Sequence, residues 1–184
     1  MGIYSLKGLQ ARLEPLGADN WVLCSSLLES EDLTRASLLY PIDFNLTFSA
    51  DGLRRMALEP VAGQTSRLYL IRDKEGAVYG ITGITDIDWV QRRGLLLLLM
   101  GESALREKRS YEPLKLLLIR ALREWDFRRV VIPVFLAETQ TVTVLKGFGF
   151  QQEGVLRKHV FFKGESFDVG VFGILKSEFH HVEV

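Results

Sequence analysis

Cys24 is the only cysteine in this chain of 184 residues. A lone thiol excludes an internal disulfide and a cysteine-based zinc site, and it suits a reducing, cytoplasmic setting. Its neighbours Trp21, Val22, Leu23 and Leu27 are apolar, so it reads as a small core residue rather than a catalytic thiol. Surplus charge is lacking too, because 23 basic side chains balance 23 acidic ones. Nucleic-acid binders usually carry a basic surplus or stripe, so nucleic acid is not an expected partner. Long apolar runs are also missing. The most apolar stretch, residues 95–100, falls far short of the roughly 20 residues that cross a bilayer as a helix. The start of the chain lacks the apolar segment of a signal peptide. No membrane association is expected.

What is present is a globular composition, 47% hydrophobic and 25% charged, at a length that suits one domain with a real core. Residues 10–14 alternate polar and apolar and suit a first strand. Ala18, Asp19 and Asn20 precede a helix expected over 21–28. A second helix is expected over 30–39, stopped by Pro41, and a short one over 50–58 behind Ser49. Residues 66–72 and 77–86 make a hairpin, with Gly76 supplying the left-handed turn position. The leucine run at 94–101 is bounded by glycines and too short for a typical helix. It reads as a strand buried on both faces.

Leu114, Leu117, Leu118, Ala121, Leu122 and Trp125 recur at helical spacing, and Pro113 suits only the first turn of that helix. Residues 129–133 read as a buried strand, 137–146 as a helix ended at Gly147, and 151–162 and 167–175 as two final strands. The fold class is therefore α/β (α+β), a mixed central sheet with helices on both faces. The helix after the leucine strand makes a right-handed crossover. Its N-terminus then sits at the carboxyl end of that strand, where α/β sheets bind ligands.

Four stretches carry a resemblance. Residues 146–157 (KGFGFQQEGVLR) end a helix in Gly-Phe and continue to Glu-Gly and Leu-Arg. Residues 164–169 (GESFDV) are a hairpin turn with its Asp, 173–179 (GILKSEF) follow as the ending that runs out of the last strand, and 127–135 (FRRVVIPVF) hold the strand after the crossover. In this order and spacing the chain resembles the GNAT N-acetyltransferase superfamily, in the branch of ribosomal-protein-alanine and spermidine acetyltransferases. The likeness runs from Arg67 to Phe179.

The resemblance implies one domain over 1–184. Residues 66–179 would form the cofactor-binding core and 1–65 the acceptor side. It implies a splayed parallel strand pair gripping acetyl-CoA, with Leu99, Met100 and Gly101 lending backbone to the pantetheine arm. The pyrophosphate loop falls on Arg106, Glu107, Lys108, Arg109, Ser110 and Tyr111. Arg106 matches the family pattern, whereas Arg109 and Tyr111 replace its two glycines. Basic side chains at Arg106, Lys108 and Arg109 would then take over from backbone amides, with Glu107 and Glu112 opposing them.

Where relatives carry Asn, Ser and Tyr on the next helix, this chain has Glu138, Thr141 and Leu145. Glu138 and Thr141 are candidate catalytic groups, with Glu102 just past the leucine strand as the nearest candidate base. Asp86 and Asp88 either meet a cationic amine or form a turn. Trp89 lines the acceptor pocket or packs in the core, and His159 is a proton relay or a plain strand residue.

The implied activity is transfer of an acyl group from acetyl-CoA to a primary amine on a small molecule, peptide or protein N-terminus. Two alternatives follow from the altered loop. One is a non-catalytic binding module of the same fold. The other is an acyltransferase whose donor is an acyl carrier protein. Many relatives dimerise, so a homodimer is an expected state.

Overall fold

The computed structural model describes residues 10–28, 54, 66–100, 109–162 and 164–179. The helices expected over 30–39 and 50–58 lie outside the described residues, apart from residue 54, which is helical. The elements are β1 (Arg12–Pro15), α1 (Trp21–Leu28), β2 (Arg67–Arg72), β3 (Val78–Asp88), β4 (Arg93–Met100), α2 (Tyr111–Ile119), β5 (Arg129–Phe135), α3 (Thr139–Gly147), β6 (Gln151–Phe162) and β7 (Glu165–Leu175). Seven strands form one sheet in the order β1-β2-β3-β4-β5-β7-β6. The β4–β5 pair is parallel and every other pair is antiparallel.

The leucine run is a strand buried on both faces, and side-chain alternation explains how. Leu97 and Leu99 point to one face with Leu68, Leu70 and Ile81, where Cys24 and Trp21 of α1 cover them. Leu96, Leu98 and Met100 point to the other with Tyr69, Ile71 and Ile84, under residues of α2 and α3. A period of two splits one apolar run between two cores. Each fully buried leucine adds about 1.5–3 kcal/mol at most.

Three expectations need correction. The helix expected through Trp125 stops being α-helical at Ile119, and Arg120–Glu124 form a π-helical turn. The Trp125 N–H reaches back five residues to the Arg120 carbonyl, at 2.8 Å. Packing of the Arg120 guanidinium over the rings of Tyr69 and Trp125, at 5.5 and 5.6 Å, accompanies the wider turn. Next, Gly147 is still helical, and the chain reverses at Gly149 with φ +96°. There Gly149 N–H donates to Lys146 and Phe150 N–H to Leu145, the paired bonds of a Schellman ending that a left-handed glycine permits. Finally, β3 runs on to Asp88, past a register shift where Asp86 takes φ 46°.

Two further motif residues prove structural. Asp168 accepts the backbone N–H of Lys158 (2.7 Å) at the irregularity in β6. Glu153 reaches across β7 to fork onto Arg129 of β5. It crosses directly over Gly173, where a Cβ would stand 2.5 Å from the Glu153 carboxylate.

Candidate active site

β4 and β5 are paired at three positions: Arg93 with Arg129, Gly94 with Val130, and Leu95 with Val131. Beyond Leu95 and Val131 the ladder stops, yet β4 runs on to Met100 and β5 to Phe135. Each strand is held on its outer side. β3 pairs with β4 as far as Met100, and β7 pairs with β5 as far as Phe135. The two central strands therefore diverge toward their carboxyl ends, and no strand among the described residues bridges the gap between them. Pro133, which has no N–H for a ladder bond, sits in this diverging stretch. Leu99 and Met100 lie on the open part of β4. Gly101, Glu102, Arg106, Glu107 and Lys108 lie outside the described residues.

α2 begins over this opening. Its first residues keep ordinary geometry, with Ser110 at φ −72° and ψ −22° and Tyr111 already helical. Tyr111 is helical and takes no positive φ, so a tyrosine in place of glycine there strains no backbone. Ser110 is buried and its side chain makes no capping bond. The N–H groups at this helix start carry the partial positive charge that favours an anion.

The altered side chains turn to other tasks. The Arg109 guanidinium stacks on the Tyr79 ring, 4.0 Å from its centroid, and sits 3.4 Å from the Asp73 carboxylate. It ties the start of α2 to the β2–β3 hairpin. Burial pushes the Tyr79 phenol up to about 12, against the pull of the Arg109 charge. The Tyr111 ring stacks on Phe148 at 4.5 Å, joining the start of α2 to the end of α3. Glu112 does not stand idle beside an anion site. Its Oε2 accepts the backbone N–H groups of Gln10 and Ala11, each at 2.7 Å, and fastens the chain before β1.

Between β4, α2 and α3 lies a cavity of about 10 Å3, lined by Leu98, Ser110, Leu114, Thr141 and Leu145 among others. That is about the size of one probe sphere, the least space that holds a water. Thr141 is half-buried at this cavity. Leu145 is fully buried and belongs to the core. Glu138 stands on the turn from β5 into α3, half-buried, and its side chain does not cap the helix.

Other candidates lie elsewhere. The Asp88 carboxylate accepts the Gln91 N–H (2.8 Å) in the β3–β4 turn, at the closed end of the strand pair. The turn reading of Asp88 is therefore the right one. Trp89 is on the same turn, packed edge-on against Trp125 and Phe127. Cys24 is fully buried, and burial pushes its thiol up to about 12. The core reading holds, because a thiolate is not available there. His159 is exposed on β6. The ties from Arg109 to Asp73 and from Glu112 to Gln10 were not visible in the sequence. Their partners are distant along the chain and carry no local pattern.

A mixed sheet with a diverging parallel pair and a helix starting over the gap defines an acyltransferase-type fold. Residues 42–171 match the family profile described as "Acetyltransferase (GNAT) domain", well over half of the chain. The chain belongs to the GNAT acetyltransferase domain family. It is 26% identical over 117 residues to an uncharacterized N-acetyltransferase, p20, of Bacillus licheniformis. That match covers 64% of this chain and 66% of the relative, just under two thirds of its length.

Among solved structures, the fold is similar to spermidine N-acetyltransferase from Vibrio cholerae in complex with CoA and spermine. The TM-score is 0.77 and the identity 17%, over 92% of this chain and 98% of that one. The spermidine/spermine N-acetyltransferase SpeG of the same organism, in complex with manganese ions, gives 0.71 and 15% over 91% and 94%. Among the described residues no group of three or more His, Cys, Asp or Glu side chains is arranged to hold a metal ion, and no helix is long and apolar enough to cross a membrane.

Proposed function

We propose that this chain transfers an acetyl group from acetyl-CoA to a primary amine. The single observation that carries the reading is the end of the β4–β5 ladder at Leu95 and Val131. In this reading the diverging end of β4 at Leu99 and Met100, with Gly101 next in sequence, would lend N–H and C=O groups to the amides of a pantetheine arm. A β4 N–H aimed at the thioester oxygen would stabilise the charge that develops there. The start of α2, with Arg109, Ser110 and Tyr111 and with Arg106 and Lys108 before it, would hold the diphosphate. Because Arg109 is engaged with Tyr79 and Asp73, the helix N–H groups and the more distant basic residues carry most of that task.

In this reading the amine nitrogen bonds the acyl carbon, the carbon–sulfur bond breaks and the thiolate takes a proton. Leu145 cannot supply that proton. Thr141, which lines the described cavity together with Ser110, would relay one from solvent. Glu138 on the turn into α3, and Glu102 past β4, are the carboxylates we assign to receiving the amine and removing its proton.

The test is thermal unfolding with CoA and acetyl-CoA, followed by thiol release with a panel of polyamines and peptides. A donor at a hundred times its Kd adds about 2.7 kcal/mol of apparent stability. No shift with either ligand would count against donor binding. A larger response to acyl carrier protein than to acyl-CoA would favour the carrier donor.

One observation favours a second reading, a non-catalytic module. The cavity under α2 and α3 is only about 10 Å3, so a donor must displace side chains such as Leu145. Turnover of any amine in the panel would dispose of that reading.

A further inference from the structure

At the closed end of the β4–β5 pair, opposite the candidate active site, lies an open groove of about 1100 Å3. It lies between the β3–β4 turn, the start of β5 and the turn after β7. Four cations line it, Arg93, Arg128, Arg129 and Lys176, against one carboxylate, Asp88. The platform is stitched from three separate segments. Arg128 N–H donates to the Arg92 carbonyl at 2.7 Å, and Lys176 N–H donates to the Arg128 carbonyl at 2.9 Å. The Asp126 carboxylate bridges the side chains of Arg92 and Lys176. Arg92 and Asp126 both hold left-handed backbone, at φ 53° and 56°. Such conformations persist where the surroundings over-determine them, and they gather at ligand sites.

The carboxylates here are already committed. Asp88 accepts the Gln91 N–H and lies 3.9 Å from Arg93. Glu153 is forked onto Arg129, and Asp126 is shared as described. Glu178, in the turn after β7, accepts the Leu175 N–H and the Gln151 side-chain amide, so five cations meet four carboxylates. The exposed Arg128 guanidinium makes no hydrogen bond or ion pair with the described residues.

We infer that this groove binds an acidic polypeptide segment, with Arg128 as a principal contact. Guanidinium forks match carboxylates in a bidentate way, as Arg129 and Glu153 already do on this molecule. The groove is open and larger than the pockets that enclose small ligands, which suits an extended chain. On a chain of zero net charge the groove lacks the broad basic surplus that marks a nucleic-acid surface.

The experiment is a fluorescence anisotropy titration of the whole protein with three labelled probes: a short poly-glutamate peptide, its poly-glutamine counterpart and a single-stranded oligonucleotide of equal charge. The expected result is binding of poly-glutamate alone, weakened by salt. Arg128→Glu should lower that affinity at least about tenfold, with an unchanged circular dichroism spectrum. Glu153→Gln, which releases the Arg129 fork, should raise it. Equal binding by wild type and Arg128→Glu, tighter binding of the oligonucleotide, or no binding of poly-glutamate would each overturn the inference.

Discussion

Buried acids that must stay neutral set an alkaline limit on this fold. Burial raises Cys24 from about 9 to about 12 and Tyr79 from about 10 to about 12. For both groups the folded value lies above the unfolded one, so their contribution is complete below pH 9 and declines as pH rises toward 12. Urea unfolding as a function of pH should show stability falling across that window, and Cys24→Ala should flatten the part that begins near pH 9. An alkaline limb identical in the variant would mean the thiol is not the cause. Glycines give a second, graded test at the residue scale. At Gly83 an added Cβ would meet the Arg67 carbonyl at 2.4 Å, a backbone atom that cannot step aside. Gly83→Ala should destabilise by about 1–3 kcal/mol. At Gly173 the obstacle is the tip of the Glu153 side chain. Gly173→Ala should therefore cost no more than the surface ion pair it displaces, about 0–1 kcal/mol. Equal midpoints in urea for the two variants would contradict this account.

Element by element, the sequence showed most of the described framework, because hydrophobic period and turn chemistry are local. The hairpin around Gly76, the two-faced leucine strand and a helix with Pro113 in its first turn followed from local pattern and spacing. The stretches that carried the family resemblance turn out to be turn and edge chemistry. Gly149 ends α3, Asp168 anchors the β6 irregularity, and Gly173 makes room for Glu153. What stayed hidden depends on distant partners. No local pattern tells that Arg120 meets Tyr69 and the helix widens, and the splay of β4 from β5 was expected only from the family resemblance, not from the residues themselves. The start of α2 is the sharpest case. Arg109 stood out in the sequence as a phosphate ligand, yet its guanidinium packs on Tyr79 beside Asp73. If holding α2 against the hairpin is its main task, Arg109→Ala should lose about 0.5–1.5 kcal/mol and change the donor KM less than about threefold. A larger rise in KM at unchanged stability would return Arg109 to the phosphates. A double-mutant cycle with Asp73→Asn would measure their coupling.

At the scale of the molecule, the sheet separates two functions along the direction of its strands. The wedge opens where β4 and β5 diverge, and the cationic groove lies where they are still paired. The paired segment between them is built of short-range contacts, with Gly94 pressed against Ile84, Thr85 and Phe127. A tightly packed, fully laddered segment has one arrangement, and a coupling between sites needs an element with two. Occupancy of the groove should therefore leave the wedge unaffected. Arg128→Glu should retain the wild-type thermal shift with acetyl-CoA, and its donor KM and kcat should stay within about twofold of wild type. In the wild type, poly-glutamate and acetyl-CoA should raise the unfolding free energy additively, since independent ligands contribute separate binding polynomials. The measurement is a matrix of unfolding curves over both concentrations. A shift with both ligands that departs from the sum of the separate shifts would show that the paired strands transmit strain, and that the groove regulates the wedge instead of merely sharing its sheet.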